Sequence, residues 1–279
     1  MIELNKLVPT VVLQNLSLTE IDYLKETFER FDGYPDLEQI WALMDEPWVE
    51  LGCDPLNVDD RVSAYYEHPV WMLNGLFIEQ HSESLKYRQQ FAKWVVEQSP
   101  KRVADFGGGF GGLARFVGEA LPDTQVEVID PYPHPAAIAL AADTPNVSFV
   151  PELSGHYDIL IATDVFEHVS DPIKLAAETA SHLPVGGQYL IANCFAPVIL
   201  CHLPQLFHFN ISWNGVMQAM GLVPTKKVAY GRSYRRQGKL DMIAARKKAD
   251  CGRKLFPWVS WLPRGQRTAG RIIMRIFCN

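Results

Sequence analysis

The stretch that most limits what this chain can fold into is Val103-Ala104-Asp105-Phe106-Gly107-Gly108-Gly109-Phe110-Gly111-Gly112. A short apolar run ends in a cluster of glycines, and a helix-forming stretch follows at once. Glycines let the backbone turn sharply and let a ligand approach without meeting a Cβ. The helix that follows offers free N–H groups and the positive end of its dipole to that ligand. The same grammar then repeats. Strands are expected over 102–106, 125–130, 147–150, 157–163 and 188–193, and helices over 112–120, 135–142, 171–183 and 211–220. Two further strands, 222–230 and 239–245, would close the sheet as an antiparallel hairpin around a loop at 231–238. Strands and helices alternating at this spacing imply a parallel sheet covered on both faces. The expected class is α/β: a Rossmann-like, seven-stranded, mostly parallel sheet.

Residues 1–99 read differently, as a helical cap. In 18–31, Ile21, Leu24, Phe28 and Phe31 recur at helical spacing after Ser17 or Thr19, either of which can cap the helix. A second helix is expected over 37–44, and aromatic helical text runs from 65 to 98 until Pro100 closes it. Tyr65, Tyr66, His68 and Trp71 there suit either a lid over a bound acceptor or the cap's own core. Residues 100–248 would form the nucleotide-binding domain and 249–279 a basic, aromatic tail.

Charge narrows the partners. Residues 1–100 hold 7 basic and 18 acidic side chains, whereas 251–279 hold 6 basic and none acidic. An acidic front and a near-neutral middle argue against nucleic acid. The tail mixes its cations with Phe256, Trp258, Trp261, Ile272, Ile273, Ile276 and Phe277, which suits peripheral contact with an anionic membrane or packing on its own domain. No apolar run is long enough to span a bilayer, and Met1–Thr10 does not read as a secretory signal, so a cytoplasmic protein is expected. Five scattered cysteines without a Cys-x-x-Cys pair suggest reduced thiols. The sequence does not reveal the oligomeric state.

Asp130, ending the second strand, is placed to accept hydrogen bonds from ribose hydroxyls, and ligands of open α/β sheets bind at such strand ends. Gly107, Gly109 and Gly112 satisfy G-x-G-x-x-G, with an acid about 20 positions on, so a dinucleotide also fits the pattern. Three features favour another cofactor. Asp105 stands where dinucleotide folds keep an apolar residue. The sheet finishes with a hairpin after five parallel strands. The segment Asp164-Val165-Phe166-Glu167-His168-Val169-Ser170-Asp171-Pro172 follows the fourth strand. With these residues, about 100–246 of the chain resembles the class I S-adenosylmethionine-dependent methyltransferases.

The resemblance implies S-adenosyl-L-methionine as cofactor. Asp105, Gly107 and Gly109 would line its methionine end, Asp130 would hold the ribose and Glu152 would stand near the adenine. Asp164 would edge the pocket, and Arg88 would meet the cofactor's carboxylate.

Methyl transfer to a hydroxyl also needs a proton removed, and an imidazole suits that task. His168 follows the fourth strand, and His202 and His208 lie in the aromatic loop after the fifth, so these three are the candidate bases. Their spacing with Asp164 and Glu167 fits no compact ligand motif, so no metal is expected. The leading expectation is O-methylation of a small acceptor, a sugar-like or other natural-product metabolite. Behind it stand N- or C-methylation, a nicotinamide-dependent oxidoreductase, and a non-catalytic cofactor-binding protein.

Overall fold

The computed structural model describes residues 3–260, without the side chains of 258–260. Among the described residues, seven strands form one sheet in the order β3-β2-β1-β4-β5-β7-β6. The chain divides by compactness into two units, Met1–Leu153 with Ile199–Cys201, and Ser154–Val198 with His202–Asn279.

The first unit starts with helices α1 (Thr10–Leu13), α2 (Leu18–Phe31), α3 (Leu37–Glu50), α4 (Asp60–Tyr66), α5 (Val70–Gln80) and α6 (Ser82–Gln98). Ser17 and Glu20 cap α2 reciprocally, and Asp36 and Gln39 do the same for α3, so orphan backbone N–H groups at both starts are satisfied. Helix α3 runs six residues past the expected end, through Pro47, because Met44, Pro47 and Trp48 continue the buried spacing of Ile40 and Leu43. Leu24 and Phe28 of α2 share one core with Ile40 and Met44 of α3 and Leu73 and Phe77 of α5. A second cluster holds Trp48, Val62, Tyr65 and Cys201. Tyr65 is wholly buried, edge-on to Trp48 and Trp71, and His68 accepts a hydrogen bond from Val70 N through Nδ1 at 3.1 Å. Of the two roles open to these aromatics, Tyr65 fills the core one.

The same unit continues with β1 (Arg102–Phe106), α7 (Gly112–Ala120), β2 (Gln125–Ile129), α8 (Pro135–Leu140) and β3 (Val147–Val150). Strands β1, β2 and β3 pair in parallel, and their buried Val103, Ala104, Val126 and Val128 match the near-continuous apolar runs of a covered parallel sheet.

The second unit holds β4 (Ile159–Thr163), α9 (Pro172–Ser181), β5 (Gln188–Ala192), α10 (Phe209–Met220), β6 (Leu222–Val228), β7 (Gly231–Arg236) and α11 (Met242–Ser260). Here the closing hairpin departs from the sequence reading. Its second strand is 231–236, the segment expected to be a loop, and it pairs antiparallel with both β5 and β6. Residues 239–245, expected to be that strand, instead lead into α11. Asp241 accepts from Ala244 N at 2.9 Å to cap this helix, and Ala245 and Ala249 are buried at helical spacing. The tight turn at Ala229-Tyr230 brings the chain back sooner than a long loop would.

Among the described residues, Cys53, Cys194 and Cys201 are free thiols. No helix among the described residues is long and apolar enough to cross a membrane. Most of the tail to which membrane contact was assigned, 261–279, lies outside the described residues.

Candidate active site

In the first unit, register sets the geometry. Asp105 pairs with Val128 and Phe106 with Ile129, so Asp105 and Asp130 stand at the carboxyl ends of adjacent strands. Gly107 N donates to Ile129 O at 3.0 Å, and the loop then turns through left-handed backbone at Gly107 (φ 68°) and Gly109 (φ 53°). Side chains there would strain the turn. A Cβ on Gly109 would meet nothing within 4 Å, so open space lies beside that residue.

Asp105 is buried beneath this loop, 1% exposed, and neither carboxylate oxygen has a hydrogen-bond partner. Burial pushes its pKa up to about 7, and the positive charge of Arg88 offsets part of that rise. Asp130 is half-buried, and its Oδ1 accepts from Tyr132 N at 2.8 Å. Arg88 lies against the start of α7, where a Cβ on Gly112 would strike its guanidinium. It is not idle: Nη1 donates to Glu79 Oε1 at 2.7 Å and Nη2 to Ile78 O. Glu79 also pairs with Arg115, whose Nη1 donates to Phe110 O in the glycine loop at 2.6 Å. Sequence reasoning placed Arg88 near the loop but missed the carboxylate that holds it, 9 residues upstream. Glu152 is exposed after β3.

In the second unit, a polar cluster forms after β4 and β5. Asp164 takes a left-handed conformation (φ 53°) at the end of β4 and keeps solvent exposure. Its Oδ2 accepts from Tyr230 Oη at 2.7 Å. Glu167, on the turn Phe166–His168, is 1% exposed. Its Oε1 accepts from Cys194 N at 2.7 Å, and its Oε2 is buried without a partner. Burial, and then repulsion from Asp164, raises the Glu167 carboxyl well above the usual carboxylate range. Burial, and then the same two carboxylates, pushes the Cys194 thiol up to about 11, which keeps it protonated and a poor nucleophile. Asn193, just past β5, buries both amide atoms with no partner.

The three candidate histidines separate. His202 is buried, and its Nδ1 lies 2.7 Å from Ala196 O, so the proton sits on Nδ1 and the lone pair on Nε2. Its ring meets that of His168 edge-on, with centroids 4.9 Å apart. Leu203 N donates to Glu167 O at 3.1 Å, which ties the two segments together. Ligating atoms of Glu167, His168 and His202 all lie within 4.8 Å of one another. His208 stands apart as the N-cap residue of α10, with Nδ1 3.0 Å from Gln205 O and its ring against Phe209. Burial pulls its pKa down to about 4. Sequence reading named His168 and His202 but could not see that the 33 residues between them fold back to join both to Glu167. It also missed Tyr230 and Asn193, which carry no local motif.

The methyltransferase-domain family matches residues 77–223, just over half of the chain. The chain belongs to the class I S-adenosylmethionine-dependent methyltransferases. An O-methyltransferase family protein from Burkholderia thailandensis superposes with a TM-score of 0.53 at 14% identity, over 72% of this chain and 71% of that one. The CurJ carbon methyltransferase superposes equally, at 0.53 and 12% identity, over 77% and 70%. At these identities both show the shared fold. In sequence, a highly reducing polyketide synthase, stpks1, from Strobilurus tenacellus is 26% identical over 171 residues. The match covers 54% of this chain and only 6% of that much longer relative.

The glycine loop fits the family's cofactor. An unpartnered buried carboxylate at Asp105 suits a cationic amine, open space at Gly109 admits close approach, and Asp130 offers a carboxylate at the neighbouring strand end.

Proposed function

We propose that this methyltransferase acts on an oxygen of a small hydroxyl-bearing acceptor of the natural-product kind. We propose further that the acceptor is held and deprotonated at the cluster after β4 and β5. One observation carries this reading: Glu167 Oε2 and both amide atoms of Asn193 are buried polar atoms without partners. Such atoms are costly unless a ligand or ordered water completes them, and here they stand where α/β folds take ligands.

Bound S-adenosylmethionine supplies an electrophilic methyl group on a sulfonium. The chain's own residues do the rest. Asp105, Gly107, Gly109 and Asp130 bind and orient the cofactor. Arg88, held by Glu79, contributes positive potential beside Asp105 and is not available as a bare cation. We assign the exposed Glu152 no more than an outer contact with the adenine end, and Asp164 a place at the acceptor, fixed by Tyr230. Asn193 presents one donor and one acceptor, which suits a hydroxyl. Glu167, His168 and His202 form the polar cluster at which the hydroxyl proton is lost, while His208 packs α10 and touches no substrate.

A second reading has one observation behind it, the match to a polyketide synthase. A carbon next to a carbonyl must lose a proton just as a hydroxyl must, so the same cluster would serve. Incubation with ¹³C-methyl cofactor and a panel of hydroxylated and β-keto acceptors tests both readings. Carbon-13 NMR of a methoxy product supports oxygen transfer, and a methyl on carbon overturns it in favour of the second. Release of S-adenosylhomocysteine from neither class overturns both.

A further inference from the structure

We propose that Glu167, His168 and His202 form a divalent-cation site. Three ligating atoms, from one carboxylate and two imidazoles, already lie within 4.8 Å of one another. Bonds of about 2.0–2.2 Å to one ion hold its ligands roughly 3–4 Å apart, so the set closes on a cation by small side-chain movement.

Further features of the geometry show that the cluster is built. Glu167 is 1% exposed, and no donor reaches its buried Oε2. Its other oxygen is pinned by Cys194 N at 2.7 Å, which fixes the carboxylate's orientation. His202 is oriented by its own outer bond, Nδ1 to Ala196 O at 2.7 Å, the arrangement that metal-bound histidines use to fix tautomer and raise basicity. The two rings meet edge-on, with 72° between their planes.

The donor set selects the ion. Magnesium and calcium take oxygen ligands almost alone, whereas two imidazoles and a carboxylate suit Mn²⁺, Fe²⁺ or Zn²⁺. Three protein ligands leave coordination positions open, as catalytic sites do. Those positions suit an acceptor bearing a hydroxyl, or two neighbouring oxygens that chelate. This consequence for the acceptor rests on the proposed oxygen transfer; the site itself does not.

The test uses the full chain, stripped with a chelator and titrated with Mn²⁺ while free ion is followed by electron paramagnetic resonance. One saturable Mn²⁺ per chain is expected. Glu167→Gln and His202→Ala should each weaken it by about 100-fold or more, at or beyond the 10–100-fold that losing an outer hydrogen bond costs. His208→Ala should bind as the unchanged protein does. Cobalt substitution gives a second readout, visible d–d absorption that His202→Ala abolishes. Retained cofactor binding by calorimetry shows that each variant is folded. Absence of saturable Mn²⁺, Co²⁺ or Zn²⁺ binding by the unchanged chain overturns the site, whatever the variants do. So does binding that survives both substitutions. Failure of the functional reading looks different: the ion binds as expected, but no hydroxylated acceptor releases S-adenosylhomocysteine.

Discussion

Asp105, near the end of β1, and Glu167, just past β4, are both buried carboxylates with unpartnered oxygens. Their surroundings differ. Asp105 sits alone under a glycine loop with Arg88 as its electrostatic counterweight. Glu167 has a second carboxylate as neighbour and two imidazoles within reach. The first arrangement suits a ligand that brings its own positive charge. The second suits a site where protons are exchanged or a cation is held. One chemical group thus serves two tasks because its neighbours, not its identity, set its charge.

The largest break in this comparison should come from the second cluster. Glu167→Gln and His202→Ala are each expected to lower turnover by about 10²–10⁴-fold, with cofactor affinity unchanged within about twofold. Steady-state kinetics paired with calorimetry would check the split, and a matching loss of cofactor affinity would contradict it.

Asp105→Asn should show the opposite pattern. Cofactor binding should weaken by about 1.5–3 kcal/mol, the range for hydrogen bonds to charged groups. In the unchanged protein, affinity should rise as pH increases through about 7, because the carboxylate that meets a cationic amine forms only then. The variant should lose that rise. Stability moves the other way. The folded pKa of Asp105 lies above its ordinary value, so this group's contribution is fully present below the ordinary carboxylate range. It is lost as pH climbs through about 7. Asn at this position should flatten that decline, which thermal melts across pH would show.

Asp130→Ala should cost about 1–3 kcal/mol in cofactor affinity through lost hydrogen bonds. An unchanged dissociation constant in a folded variant would remove Asp130 from the ribose role. The smallest effect on chemistry belongs to His208→Ala. Its turnover should stay within about twofold of normal while unfolding in denaturant shows a loss of about 0.5–3 kcal/mol. A large drop in turnover would instead return His208 to the list of bases.

How much was legible depends on how local the signal is. Strands 102–106 and 147–150 and helices 18–31 and 112–120 match the sequence reading residue for residue, because capping residues and glycines mark their ends. Apolar runs mark the strands that close a buried sheet. The hairpin was misread because β7 carries Arg232, Arg235 and Arg236 and so lacks the apolar alternation of a strand. Lys239–Ala245, more apolar, looked like one. Tertiary pairing overrode propensity there, because β7 lies between β5 and β6 and pairs with both.

The sequence by itself determined the glycine loop, the acid at each of the first two strand ends, the alternating α/β order and the identity of two histidines near the fourth and fifth strands. These follow from backbone rules acting over a few residues. Only the tertiary structure decided that Glu79 occupies Arg88, that Tyr230 reaches Asp164, and that Glu167 meets His168 and His202 while His208 does not. Those pairings join residues up to 66 positions apart. No local pattern encodes them; they exist only once packing has fixed the strand register and folded the loops, and that is where the charge of each buried group is set.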